Sequence, residues 1–490
     1  MKTVLIMSRG MRLAPMFKVM AAELARDHRV IVAINTVCAD QETQFWQDFK
    51  EGIVIDFDRR IQQAMSNRDR WSASFISQIE AETGITLYKS TSNYQLYRRL
   101  QKSYLGQRAW DSFYDAEEDT VREYVGSYLV LTQIFEDFAP DIIFYEAIDL
   151  ISTYVALALS YNRGIFALGY HAAPASDKKI VLFYGIHRQN LVLQELFNHP
   201  DLIDQEARQA ARDLISRLNL EKMSPPWYVQ SYKKSLGGPH YLNPQKIFQN
   251  LRHRKTWPDP LRYLRKLKNL AWLGAHSHKA IPEEPYLVFF LHHQPEASTC
   301  SVAPRWVDQN VIIEQLAINA PYGLKIVIKE HPRTYGARGK VYFGPLLEIP
   351  NVYMCHPTVS TFEVAKRSEA IFTIVGSIGL EGIIMGKRVA VLARPYYSIY
   401  PGVKKLHYPD EIFAALGDAS WQPQNLEQER EDFTAAYLAS QHDCGPVPPG
   451  QIWPIPEVGG SLMAQALHRT IGFIEAHNLK PVDFDPGIVA

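Results

Sequence analysis

The sequence predicts an α/β protein with two Rossmann-like parallel-sheet domains facing a cleft. Three observations predict it. Short apolar runs alternate with segments of helical period near the start of the chain, and the same alternation returns after residue 283. The runs are continuously apolar rather than alternating, as expected of strands covered on both faces. The length, 490 residues, exceeds what one hydrophobic core usually serves.

The elements follow in order. Residues 3–7 (TVLIM) read as a strand and break into the turn Ser8-Arg9-Gly10. Residues 15–25 have helical spacing, with Met16, Val19, Met20 and Leu24 on one face. Strands are expected at 29–34 and 53–57, and helices across the more polar and aromatic residues 60–135. A strand at 141–145, a helix at 150–160 and a strand at 164–168 follow, the last ending in Gly169-Tyr170-His171. A further helix is expected at 206–218. The second unit reads as strand 286–291, turn 292–299, helix 307–318, strands 325–329 and 352–355, helix 360–366, strand 370–375, helix 379–385 and strand 388–392. A long helix at 461–477 closes the chain. The expected domains are 1–240, a basic linker 241–282, a second domain 283–455, and a terminal helix and tail 456–490 that packs back on the first.

Composition narrows the function. Lys plus Arg and Asp plus Glu both number 52, so no global field points to nucleic acid. The four cysteines, Cys38, Cys300, Cys355 and Cys444, lack CxxC spacing, which argues against a zinc site and a disulfide framework and for free thiols in a reducing cytoplasm. The opening MKTVLIMSRG is too short an apolar run for a signal peptide, and no uninterrupted apolar window is long enough to span a membrane. Between Lys246 and Lys268 there are eight Lys or Arg and one acid, Asp259. With Trp257, Tyr263 and Trp272, this stretch reads either as a solvated linker or as a contact for a membrane surface or lipid-linked acceptor.

Ligands of parallel sheets bind beyond the carboxyl ends of the strands. KIVIKEHPR (325–333) presents Lys329, His331 and Arg333 there, with Pro332 to fix the turn. His331 can donate to a phosphate oxygen and, protonated, offset charge on a leaving phosphate, and Arg333 suits bidentate contact. TIVGSIGLEG (373–382) presents Gly376, Ser377 and Gly379 at a helix start, where backbone N–H groups can approach an anion, and Glu381, which can accept from a ribose diol. The competing reading is a tight turn with Glu381 complementing the helix dipole. Ser360 and Thr361 can contact phosphate, although Ser360 with Glu363 also has capping-box spacing. Gln294 and Glu296 can bind sugar hydroxyls or a base edge, or simply hold a hydrogen-bonded turn. In the first half, Glu146 and Asp149 follow a strand end and can supply a nucleophile or general base, while Asp149 can equally cap the helix after it. His171 is a further candidate, and Ser8, Arg9 and Gly10 are expected to line the acceptor side of the same cleft. No Walker or dinucleotide fingerprint occurs.

At QPEAST, KEHPR and GSIGLEG the chain resembles the capsule polysaccharide biosynthesis family, which includes bacterial Kdo (3-deoxy-manno-octulosonate) transferases and relatives of the GT-B glycosyltransferases. The resemblance covers mainly residues 283–400. It implies a metal-independent GT-B enzyme with His331 on the nucleotide phosphate of a CMP-sugar, and Ser377 and Glu381 in the nucleotide-binding turn and helix. The expected partners are a nucleotide-sugar donor as co-substrate and a glycan or lipid-linked acceptor, with no other cofactor, no nucleic acid, and peripheral contact with the inner membrane surface. A UDP-N-acetylglucosamine 2-epimerase-like enzyme, or a non-catalytic binding component of capsule assembly or export, are the alternative readings.

Overall fold

The computed structural model describes residues 1–35, 39–66, 72–90, 117–146, 148, 150–176, 178–186, 188–220, 260–294, 296, 298–331, 334–447 and 454–481. Asp149, Pro332, Arg333 and Trp257 lie outside the described residues, as does the basic stretch up to 259.

Among the described residues, thirteen strands form two sheets. The first contains β1 (Thr3–Ser8), β2 (Arg29–Ile34), β3 (Ile53–Asp56), β4 (Ile142–Tyr145), β5 (Phe166–Ala172), β6 (Lys179–Tyr184) and β13 (Gln441–Asp443), in the order β13-β6-β5-β4-β1-β2-β3. β1 to β5 run parallel, and β6 and β13 are antiparallel additions at one edge. The second contains β7 (Tyr286–Phe290), β8 (Lys325–Lys329), β9 (Val352–Cys355), β10 (Ala370–Thr373), β11 (Val389–Val391) and β12 (Val403–Lys405). It is entirely parallel, in the order β12-β11-β10-β7-β8-β9. Numbered within its own domain this is the 3-2-1-4-5-6 order of doubly wound nucleotide-binding sheets. The α/β class with two Rossmann-like sheets is therefore as the sequence indicates.

The continuous apolar runs explain the two-sided burial. Val4, Leu5 and Ile6 in β1, and Leu287, Val288 and Phe289 in β7, have no exposed surface, and alternate residues of each run enter the cores on opposite faces.

β5 departs from expectation. The strand runs on through Gly169, Tyr170 and His171 to Ala172, past the expected 164–168, because β6 pairs with them antiparallel, His171 opposite Val181. Only glycine fits at this point of the strand, since a Cβ at 169 would come within 2.8 Å of the Tyr145 ring.

The Pro260–His276 helix, within the stretch read as linker, packs on the second domain by burying Leu273 in its core. Gln441–His442–Asp443, within the span read as second domain, joins the first sheet. The Pro456–Ala476 helix lies against the Ala14–Leu24 helix of the first domain. Two glycines permit that approach, since a Cβ on Gly460 would meet the carbonyl of Met16 and the Val19 side chain, and one on Gly459 would come within 3.3 Å of Met16 Sδ. No described helix is long and apolar enough to cross a membrane.

Candidate functional site

In each sheet the strand order reverses beside the first strand of the domain, β1 against β4 and β7 against β10. Ligands of open parallel sheets bind at such points. The two points are tied across the domains. Tyr154, in the first turn of the Ile151–Asn162 helix after β4, donates to the Ser301 carbonyl at 2.7 Å. Ser301 lies in the buried π-helical turn Ser298–Val302 after β7. The carboxyl ends of the two sheets thus face each other.

On the second domain, three turns converge. After β7, His292 is buried, and its Nε2 accepts the Val375 N–H at 3.4 Å, beside the Thr373 hydroxyl at 3.2 Å. Burial, with help from the Arg338 guanidinium, holds this imidazole down to about 4, so it is neutral at ordinary pH. The next residue, His293, places its ring 5.7 Å from that of His331, at the end of β8. Thr373 also accepts the Gly376 N–H at 3.1 Å. A chain of contacts therefore runs from His331 through His293 and His292 to the Gly376-Ser377 turn.

A buried ion pair braces this arrangement. Glu330 Oε1 accepts the His331 N–H at 2.7 Å and the Thr334 hydroxyl at 2.8 Å, and lies 3.2 Å from Arg338 Nη2. The same Nη2 donates to the His292 carbonyl at 2.5 Å. Burial pushes the Glu330 carboxyl up, against the pull of Arg338.

The residues singled out from sequence divide by environment. Lys329 is buried, and its ammonium donates to the carbonyls of His356, Pro357 and Val359 at 3.2, 3.2 and 2.8 Å. It thereby fixes the loop leading to Ser360 and Thr361. Ser360 accepts the Glu363 N–H at 3.4 Å as the cap of the Thr361–Arg367 helix. Gln294 is a buried clamp, donating to the Val307 carbonyl at 2.6 Å and the Thr299 hydroxyl at 3.2 Å. Glu296 accepts the Ser298 hydroxyl at 3.0 Å.

The glycines of GSIGLEG serve close packing. A Cβ on Gly379 would fall on the Tyr397 hydroxyl, and one on Gly382 would meet Ile371 at 2.7 Å and Val389 at 2.9 Å. Tyr397 donates to the Gly376 carbonyl at 2.5 Å and so fixes the turn. Ser377 precedes the Ile378–Ile384 helix without a side-chain capping bond. Glu381, in the first turn, has no side-chain hydrogen-bond partner among the described residues, and burial pushes its carboxyl up to about 7.

On the first domain, Glu146 Oε1 accepts from Arg12 Nη2 at 3.1 Å, and its Oε2 lies 3.8 Å from Arg9 Nε. Ser8 and Gly10 are held by a residue the sequence reading missed. The buried Glu42 accepts the Ser8 hydroxyl, and the Gly10 N–H at 2.6 Å. Burial pushes the Glu42 carboxyl up, opposed by those two hydrogen bonds. No local signal in the sequence points to it, since its partners Ser8 and Gly10 lie 34 and 32 residues away. His171 Nδ1 donates to the Ala172 carbonyl of its own strand at 2.8 Å, and burial with Arg188 holds it down to about 4. No group of three or more potential metal-ligating His, Cys, Asp or Glu gathers among the described residues.

Residues 304–412 match the family described as capsule polysaccharide biosynthesis protein. No curated protein matches the chain. Among solved structures the chain is similar to the KpsC β-Kdo 2,7 transferase of Thermosulfurimonas dismutans, at 12% identity over 70% of this chain and 90% of that one, with a TM-score of 0.37. It is also similar to the UDP-GlcNAc 2-epimerase of Neisseria meningitidis, at 13% identity over 96% and 100%, with a TM-score of 0.28. At TM-scores this low neither assigns a role to any residue here. The matched span, residues 304–412, carries the His331 and Ser377 turns.

Proposed function

We propose that the protein is a metal-independent, GT-B-type glycosyltransferase that moves a sugar from a nucleotide-activated donor, CMP-Kdo foremost, to a surface-polysaccharide or glycolipid acceptor. One observation carries this reading: the segment matching the capsule family falls on the turns that surround the switch point of a sheet with nucleotide-binding strand order. The donor sits against the second domain. His331, backed by His293, faces the leaving phosphate, and Arg333, two residues on in sequence, adds charge. The Ser377 backbone approaches the anion, and Glu381 accepts from the ribose. Lys329 acts indirectly, by fixing the loop that carries Ser360 and Thr361.

The acceptor sits against Ser8, Arg9 and Gly10 of the first domain. Glu146, with Asp149 beside it in sequence, is the first choice for base or nucleophile. His171 has too low a basicity to serve as general base near neutral pH and is better suited to hydrogen bonding. The interdomain contact from Tyr154 to Ser301 keeps donor and acceptor ends within one cleft.

The test is nucleotide release from CMP-Kdo and UDP-sugars, with and without a capsule-type acceptor, in the presence of EDTA. Acceptor-dependent release that survives EDTA supports the transferase reading. Release of free sugar without acceptor favours an epimerase-like enzyme, and binding without turnover favours a non-catalytic component.

A further inference from the structure

Three adjoining helices of the second domain each expose apolar side chains. The helices Pro260–His276, Lys340–Leu347 and Gln309–Asn319 share a core on their inner faces, through Leu273, Phe343 and Ile312 among others. The middle helix contacts both neighbours. Their outer faces expose Leu264 (59%), Leu267 (44%), Val341 (79%) and Ile318 (72%). Scattered exposed apolar residues need no explanation, but a set on adjoining helices does.

The Pro260–His276 helix gives this face its chemistry. Leu264, Leu267 and Ala271 are exposed at helical spacing, opposite the inner positions Asn269, Leu270 and Leu273. Arg265 and Lys268 are exposed beside the leucines, Lys340 opens the neighbouring helix, and Pro260–His276 contains no acidic residue. Pro260–His276 carries four Lys or Arg in a chain whose charges balance overall, so cations are concentrated on this helix, while the Gln309–Asn319 helix carries one acid, Glu314. An apolar ridge flanked by cations suits a surface that is negatively charged outside and apolar just beneath.

We infer that this helix is an interfacial anchor that seats the second domain on an anionic lipid bilayer. The anchor is mechanically joined to the candidate donor site. Asn269 Nδ2 donates to the carbonyls of Gly336 and Ala337 at 3.1 and 3.2 Å. That turn is tied to His331, whose carbonyl accepts the Thr334 N–H at 3.0 Å, and to Glu330 through Arg338. A bilayer-bound helix would therefore hold the His331 turn at a fixed height above the membrane, within reach of a lipid-linked acceptor.

The test is co-sedimentation of the full chain with phosphatidylcholine vesicles, with and without phosphatidylglycerol, at low and high salt. No nucleotide or acceptor is present, so the result is independent of the transferase reading. The wild type should bind the phosphatidylglycerol vesicles and release with salt. Leu264→Glu/Leu267→Glu should lower partitioning at least about tenfold. Arg265→Glu/Lys268→Glu should lower it by a similar factor on anionic vesicles alone, at roughly fivefold per cation. All four positions are exposed, and an unchanged melting temperature would show that the variants fold. Equal binding by the wild type and the leucine variant would overturn the inference, as would no binding to anionic vesicles. Self-association abolished by the leucine variant would also overturn it, since a second copy would then cover the face.

Discussion

Arg338 Nη2 lies 3.2 Å from Glu330 Oε1, both side chains are buried, and the same guanidinium nitrogen donates to the His292 carbonyl. One charged pair thus joins the turn after β7 to the turn after β8, the two places that present His293 and His331. Removing one partner of a buried pair leaves the other uncompensated. Arg338→Met should therefore lose about 3–5 kcal/mol of stability. The double variant Glu330→Gln/Arg338→Met should lose less than the sum of the single losses. Urea unfolding of the four proteins measures this, and additive losses would mean that the pair is not coupled.

Glu381 gives a pH-dependent prediction. Its folded carboxyl holds a proton up to about 7, against 4.5 for an ordinary Glu. Its contribution to stability is fully present below the unfolded value and is lost as pH rises through the folded one. Glu381→Gln removes that loss. The variant should match the wild type near pH 4.5 and exceed it by about 1–3 kcal/mol above pH 7. Denaturation midpoints across this range check it. A gap that is constant with pH would show that Glu381 does not titrate as its burial implies.

Gly379 abuts the Tyr397 hydroxyl. Gly379→Ala should cost about 1–3 kcal/mol through overpacking. Tyr397→Ala clears the ring carbons as well as the hydroxyl, so the double variant should be more stable than additivity allows. Thermal unfolding of the set decides it, and strict additivity would place the strain elsewhere.

Tyr154→Phe removes the bond between the two domains at Ser301 while keeping the ring. The expected loss is about 0.5–1.5 kcal/mol. Proteolysis should also quicken at the domain junction relative to sites within either sheet. Unchanged cleavage would mean that this bond does not help to hold the cleft.

The fold was legible because parallel strands are apolar on both faces. β1, β7, β8 and β10 could be read as uninterrupted runs, and their carboxyl ends located the turns at Ser8, His292, His331 and Gly376. β6, β12 and β13 were missed, β12 being only three residues long. β6 pairs with β5 as an antiparallel hairpin, and β13 is three residues long and returns from a distant part of the chain, so neither follows the repeating unit.

Within the candidate site, residue type was legible but environment was not. Lys329 and Gln294 have the chemistry of ligand-binding residues, yet both are buried and bonded to backbone carbonyls. Glu42 and Arg338 act through contacts 32 and 46 residues away in sequence, to Gly10 and His292. No local pattern announces such pairings.

The central claim is that the His331 and Ser377 turns hold a nucleotide. Thermal stabilisation of the purified protein by CMP, CDP, UDP, UMP and GDP, measured beside His331→Ala, tests it most directly. One nucleotide, CMP first, should raise the melting temperature by about 2–4 °C at saturating concentration, and the variant should lose that shift. No shift with any nucleotide, or an equal shift in His331→Ala, would contradict the claim.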